Sequence, residues 1–258
     1  MVSEPSLFED RIGPFSLRRN ESPKSTQLSL IVPTYNESQN ISELINKIES
    51  FLSPITFEIV IVDDNSPDGT SKIVQNLNRK YGNIRLCKRP GKLGLSSAVL
   101  YGFNRADADV LAVIDADLQH PPEVLLKMYR KLSEGYDLVV ASRYVDGGGI
   151  KGWTMRRKVV SRVATYLVHT LFPNSKKVKD VMSGCFMIKR EILTNTNLNP
   201  IGFKILLEIM TKCRIKRVAE IPYTFTNRRN GKSNLSPLEI RNFIVHVYRI
   251  KLNSRMYN

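Results

Sequence analysis

Three short runs rich in carboxylate and amide side chains each follow an apolar segment. Pro33-Thr34-Tyr35-Asn36-Glu37 follows Leu28 to Val32, Asp63-Asp64-Asn65-Ser66-Pro67-Asp68-Gly69 follows Phe57 to Val62, and Asp115-Ala116-Asp117-Leu118-Gln119 follows Val110 to Ile114. One such cluster is ordinary turn or cap chemistry, for which Asn36, Asn65 and Asp68 are suited. Three at successive strand ends point further, because open α/β sheets bind ligands beyond the carboxyl ends of their strands. Carboxylates gathered in one crevice repel one another unless a cation enters. Carboxylate and amide oxygens suit a hard divalent ion, Mg2+ or Mn2+, that shares its coordination with substrate phosphates. The three histidines, His120, His169 and His246, lack the spacing of zinc ligands.

The elements that must position these residues are legible in the same sequence. Short apolar runs alternate with segments of helical period, such as Ile41, Leu44, Ile45 and Ile48, then Ile73, Val74 and Leu77, then Val124, Leu125, Met128 and Leu132. That alternation predicts an α/β fold with a mostly parallel central sheet flanked by helices. Later segments predict a helix over 154–172, a strand over 185–188, a helix over 203–213 and a strand over 218–223. Residues 1–27 carry Pro5, Pro14 and Pro23 without a sustained period and read as a loosely ordered tail. Residues 28–235 form the expected domain. Residues 236–258 form an amphipathic, basic helix that either packs on the domain or meets a membrane or partner.

Charge is unevenly placed. The chain of 258 residues has a net charge of +15. After position 140 there are 23 basic and 6 acidic residues, a net +17, while residues 28–140 hold 12 and 14. Such a field attracts phosphates on a nucleic acid, an anionic membrane or a phosphorylated substrate. Interleaved aromatic RNA motifs, zinc-finger spacing and a helix-turn-helix are missing, so nucleic acid is not an expected partner. The three cysteines, Cys87, Cys185 and Cys213, have no paired spacing and fit a reducing compartment. No apolar stretch approaches the roughly 20 residues that cross a bilayer.

The three clusters, in this order and spacing, resemble the family 2 glycosyltransferases, with their nucleotide-sugar-binding, Rossmann-like GT-A fold. Further stretches narrow the resemblance: Ser142-Arg143-Tyr144, Gly147 to Gly149, Arg156 to Arg162, Asp180 through Ser183-Gly184, and Gly202-Phe203-Lys204 to Glu208. Together they are similar to the polyprenyl-phosphate branch of that family, the dolichol-phosphate mannosyltransferases. The resemblance implies inverting transfer of mannose from GDP-mannose to a polyprenyl phosphate. The related alternative is another nucleotide sugar, such as UDP-glucose, on the same lipid. It assigns Pro33, Tyr35, Glu37, Val62 and Asp64 to the nucleotide pocket and Asp115, Ala116, Asp117 and Gln119 to the metal and diphosphate site. Asp117 and Gln119 are the implied metal ligands. Arg143, Arg157, Ser161, Lys204 and Arg228 are implied to handle donor and acceptor phosphates.

One stretch departs from the family pattern: Lys232 stands where an acid is usual, and Asn234 stands where a lysine is usual. The glycine-rich segment from Arg143 to Trp153 is expected to be a mobile loop that closes over the substrates. A lipid acceptor implies a peripheral enzyme on the cytoplasmic face of a membrane, held by its basic half and its last helix or by a membrane-embedded partner subunit.

Overall fold

The computed structural model describes residues 26–200, 202, 204–226 and 237–254. In chain order the first half comprises β1 (Leu28–Thr34), α1 (Ile41–Leu52), β2 (Phe57–Asp63), α2 (Thr70–Tyr81), β3 (Ile84–Lys88), α3 (Leu95–Arg105), β4 (Val110–Val113), α4 (Val124–Ser133) and β5 (Leu138–Ser142). The second half adds β6 (Gly149–Ile150), α5 (Met155–Leu171), a 3-10 turn (Pro173–Lys177), β7 (Phe186–Lys189), α6 (Arg190–Leu193), α7 (Ile205–Lys212), β8 (Val218–Pro222), β9 (Thr224–Phe225) and α8 (Pro237–Ser254).

Seven strands form one sheet in the order β3-β2-β1-β4-β7-β5-β8, and β6 pairs with β9 in a second, two-stranded sheet. β1 is buried at every position, as a strand covered on both faces must be. Its side chains alternate between two cores. Leu30 and Val32 pack with α1 and α4, while Ile31 packs with α3 and α7. The proline expected to stop this strand lies inside it. Pro33 is tolerated because the β1–β4 ladder ends at Ile31, so its missing N–H leaves no rung empty on that side.

The parallel sheet expected from the alternation is present with one inversion, since β7 lies antiparallel between β4 and β5. The chain runs from β1 through β2 to β3 in one direction and returns to place β4 on the other side of β1. The crevice at that switch lies beyond the carboxyl ends of β1 and β4, where two of the acidic clusters sit.

Asp137 ties the start of β5 to the approach to β8. Its Oδ2 accepts the backbone N–H groups of Lys216 at 2.8 Å and Arg217 at 3.0 Å. Partial burial alone raises the carboxyl pKa, but these two amides and the nearby Lys189 outweigh it and hold the group below its ordinary 3.8. A depressed carboxylate stabilises the fold fully above its unfolded pKa and loses that contribution as pH falls through the folded value. Asp137→Asn is therefore expected to flatten the acid limb of a stability curve below about pH 4. Chemical denaturation across that range reads the change.

Candidate active site

Three residues at strand ends adopt left-handed backbone angles: Asn36 with φ 58° after β1, Asn65 with φ 57° after β2 and Leu118 with φ 60° after β4. Asparagine accepts this conformation readily, whereas leucine is strained in it, and such strain persists where surrounding structure enforces it. Leu118 lies between Asp117 and Gln119. The Gln119 backbone N–H donates to Asp117 Oδ1 at 3.0 Å, and its side-chain Nε2 donates to the Thr226 carbonyl at 3.1 Å. The amide nitrogen is thereby engaged, which makes the carbonyl oxygen the available ligand atom of Gln119.

The strand-end carboxylates prove unequal. Asp63 is fully buried and accepts from Thr34 Oγ1 at 3.0 Å, Ser66 N at 3.0 Å, Ser66 Oγ at 2.6 Å and Ser71 Oγ at 2.8 Å, stitching the β1 and β2 ends together. Asp68 accepts from Ser38 N at 2.9 Å, Thr70 N at 3.1 Å and Thr70 Oγ1 at 2.6 Å. Burial works against its ionised form, but these donors prevail and its pKa lies below the usual value. Asp64 pairs with the buried Arg89, whose Nε donates at 2.6 Å, and also accepts the Leu93 N–H at 3.0 Å. The repulsion expected among converging carboxylates is thus largely discharged by hydroxyls, amides and one arginine. Arg89 escaped the sequence reading because its partner is 25 residues away.

Pro33 and Val62 of the implied nucleotide pocket and Ala116 of the implied metal and diphosphate site are buried, so what they offer a ligand is backbone. Tyr35 is exposed, and Lys92 Nζ sits 4.5 Å from its ring centroid. Glu37 accepts from Asn40 Nδ2 at 2.7 Å, and its own N–H donates to Thr70 Oγ1 at 3.0 Å.

A basic half adjoins the acidic one. Arg143 Nε and Nη2 each donate to the fully buried Asp180 at 2.7 Å, a two-pronged pair that the Arg143 backbone N–H completes at 3.0 Å. Burial opposes the charge, yet Asp180 raises the guanidinium pKa further above its ordinary value. The Arg143 cation lies 5.2 to 5.5 Å from the rings of Tyr144, Trp153 and Phe225, and Arg157 lies 4.2 Å from that of Trp153. Ser161 Oγ is 3.0 Å from the Tyr144 hydroxyl, and Lys204 Nζ donates to the Met182 carbonyl at 2.7 Å. Arg228, Lys232 and Asn234 lie outside the described residues.

His120 and Tyr223 join the halves. Their ring centroids are 5.2 Å apart, and His120 also meets Phe225 edge-on at 5.7 Å. His120 Nδ1 lies 3.5 Å from Asp115 Oδ2. Burial, reinforced by the Arg143 charge, pushes the His120 pKa down to about 3, so the imidazole is neutral at ordinary pH. Trp153, Tyr223 and Phe225 carried no sequence signal, being aromatics scattered over 72 positions, and only the fold assembles them.

Two glycines set this geometry. A Cβ on Gly184 would sit 2.5 Å from Asp115 Oδ2, and one on Gly148 would sit 2.8 Å from the Ser142 carbonyl oxygen. The segment expected to be a mobile lid is tied down in this structure, because Gly149 N donates to the Tyr223 carbonyl at 3.0 Å and Lys151 N to the Phe225 carbonyl at 2.8 Å. Gly184→Ala is expected to displace the Asp115 carboxylate and cut activity at least about tenfold while the protein stays folded, since a misplacement of about 1 Å is costly in a catalytic site. Steady-state rates and circular dichroism on the same sample check this.

The helix-flanked, mostly parallel sheet, with the strained acidic loop at its switch point, has the architecture of the GT-A class. The model of glycosyl transferase family 2 matches residues 29–196, and the chain belongs to that family. The chain is similar to the dolichol-phosphate mannosyltransferase of Pyrococcus furiosus, 42% identical over 224 residues that cover 87% of this chain and 63% of that one. It is also similar to the dolichol-phosphate mannosyltransferase of Saccharomyces cerevisiae, 39% identical over 82% of each chain. The chain thus spans a little under two thirds of the Pyrococcus relative. Among solved structures, it resembles glucosyl-3-phosphoglycerate synthase of Mycobacterium tuberculosis in complex with Mn2+, UDP-glucose and phosphoglyceric acid, with TM-score 0.65, 19% identity and coverage of 88% and 80%. Mannosyl-3-phosphoglycerate synthase of Rubrobacter xylanophilus gives TM-score 0.63 at 18% identity, covering 90% of this chain and 76% of that one.

Proposed function

We propose that the chain transfers mannose from GDP-mannose to dolichyl or another polyprenyl phosphate, with inversion at the anomeric carbon, on the cytoplasmic face of a membrane. The observation that carries this reading is the junction of two halves, an Asp115-Asp117-Gln119 loop on one side and Arg143 locked to Asp180 on the other, bridged by His120 and Tyr223. The names of the 39% and 42% identical relatives support the sugar and the lipid.

The donor set fits a divalent ion. Asp117 is buried and Gln119 offers an amide oxygen, while no trio of His, Cys, Asp or Glu closes a cage among the described residues. An incomplete set of hard oxygens suits Mg2+ or Mn2+ completed by substrate phosphates. Asp117 and Gln119 would hold it, and when bound it would neutralise charge on the departing diphosphate.

The chain's own residues do the rest. Backbone at Pro33 and Val62, with Tyr35, Glu37 and Asp64, receives the nucleotide, backbone at Ala116 meets its diphosphate, and Asp115 borders the sugar. Arg143, Arg157, Ser161, Lys204 and Arg228 place the acceptor phosphate and shield it from the donor's charge. A phosphomonoester, with its second pKa of about 6, is already an oxyanion near neutrality. No side chain therefore has to remove a proton from the nucleophile, and alignment with water exclusion supplies the rate.

Thermal unfolding with Mn2+ tests the nucleotide assignment, because a ligand that binds only the native state raises Tm. GDP-mannose is expected to raise Tm more than UDP-glucose, and EDTA to erase most of the gain. An equal or larger shift with UDP-glucose would transfer the proposal to that donor.

A further inference from the structure

Two arginines share the indole of Trp153. Arg157 lies 4.2 Å from its ring centroid and Arg143 lies 5.4 Å from it, both inside the roughly 6 Å over which an indole face attracts a cation. Phe225 meets the same indole nearly edge-on at 5.3 Å. Trp153 is half-buried, and its Nε1 is buried with no hydrogen-bond partner among the described residues. For packing alone a phenylalanine would serve better, because it fills the space without an orphan N–H.

The two cations are fixed by different means. Arg143 spends Nε and Nη2 on Asp180, which leaves Nη1 to meet an anion. Arg157 stands in the first turn of α5, where its backbone N–H donates to Thr154 Oγ1 at 3.4 Å, next in sequence to Trp153. Arg156, Arg157 and Lys158 crowd the positive end of that helix, and its first turn holds no acidic residue. Holding Arg157 there against like charges needs an attraction. A carboxylate would supply it by cancelling the charge, as Asp180 does for Arg143; an indole face supplies it without cancelling anything.

We infer that Trp153 is a positioning residue for the acceptor phosphate: its indole holds Arg157 beside the Asp180-bound Arg143, so that one phosphomonoester meets both guanidiniums. This rests on the proposed phosphate role of the two arginines. Trp153 acts through them, by their placement, and the unpartnered N–H is tolerated because the aromatic face does the positioning.

Trp153 is the single tryptophan of the chain, so indole emission reports on this one position. Titrating the full chain, with GDP and Mn2+ present, with a water-soluble short-chain polyprenyl phosphate is expected to change that emission saturably, and the corresponding alcohol to leave it unchanged. Trp153→Phe keeps an aromatic face with a weaker pull on cations, and Trp153→Leu keeps bulk with no face. The first is expected to raise the acceptor KM several-fold and the second by more than about tenfold, while both keep the donor KM and the rise in Tm with GDP and Mn2+. Trp153→Phe should also keep the wild-type urea midpoint, since it deletes the orphan N–H. Equal acceptor KM values for the two variants, or losses that fall equally on donor and acceptor, would reduce Trp153 to a packing residue. So would emission that stays unmoved at acceptor concentrations that saturate turnover. A saturable emission change without any mannosyl transfer would instead overturn the functional reading and leave the placement of the two arginines standing.

Discussion

Asp117→Asn is expected to fold as the wild type and to lose on the order of 10² to 10³ in transfer rate, the cost of removing one electrostatic stabiliser of a leaving group. The asparagine keeps an oxygen to accept the Gln119 N–H now bonded at 3.0 Å, so the strained turn at Leu118 retains its clasp. What disappears is the charge. The side chain is only 3% exposed, so water screens little of that loss. Rates measured over a range of Mn2+ concentrations should show a higher metal requirement as well as a lower ceiling. Near-wild-type turnover at saturating metal and donor would remove Asp117 from the metal site.

Arg143→Ala should be the most damaging single change to stability. It leaves the Asp180 carboxylate, 0% exposed, without the guanidinium that takes both its oxygens. Stripping one partner from a buried ion pair costs about 3 to 5 kcal/mol, a large part of the stability of a typical domain. Arg143→Lys should rescue little, because an ammonium cannot reproduce the fork on Asp180 or the planar contacts with Tyr144, Trp153 and Phe225. The double variant Arg143→Met/Asp180→Leu separates fold from function. Removing both charges should restore much of the stability while transfer stays lost. Urea denaturation reads the first expectation and product formation the second, and recovered activity in the double variant would deny Arg143 a role in phosphate handling.

These contrasts explain how far the sequence could be read. Regular alternation of apolar runs and helical periods located most of the larger elements to within a residue or two, because local pattern dictates them. Direction is another matter. Phe186–Lys189 reads identically whether its strand runs parallel or antiparallel, and only its seat between β4 and β5 decides. Asp63, Asp64 and Asp117 also look alike as letters beyond strands. The structure commits the first to hydroxyls and the second to Arg89, and sets the third at the Leu118 turn. The arginine that claims Asp64 is 25 residues away, as Asp180 is 37 residues from Arg143, and no local window contains either pair. α5 shows the same limit, since a helix apolar on both sides has a legible period but no legible inside.

The most direct test is a transfer assay with purified chain, labelled GDP-mannose, Mn2+ and a short polyprenyl phosphate, run beside UDP-glucose and beside EDTA. The expected result is a mannosyl-phosphate lipid formed with stoichiometric release of GDP, suppressed by EDTA and much slower with UDP-glucose. Turnover that prefers UDP-glucose, or none with GDP-mannose on a protein shown to be folded and metal-loaded, would contradict mannosyl transfer to a polyprenyl phosphate.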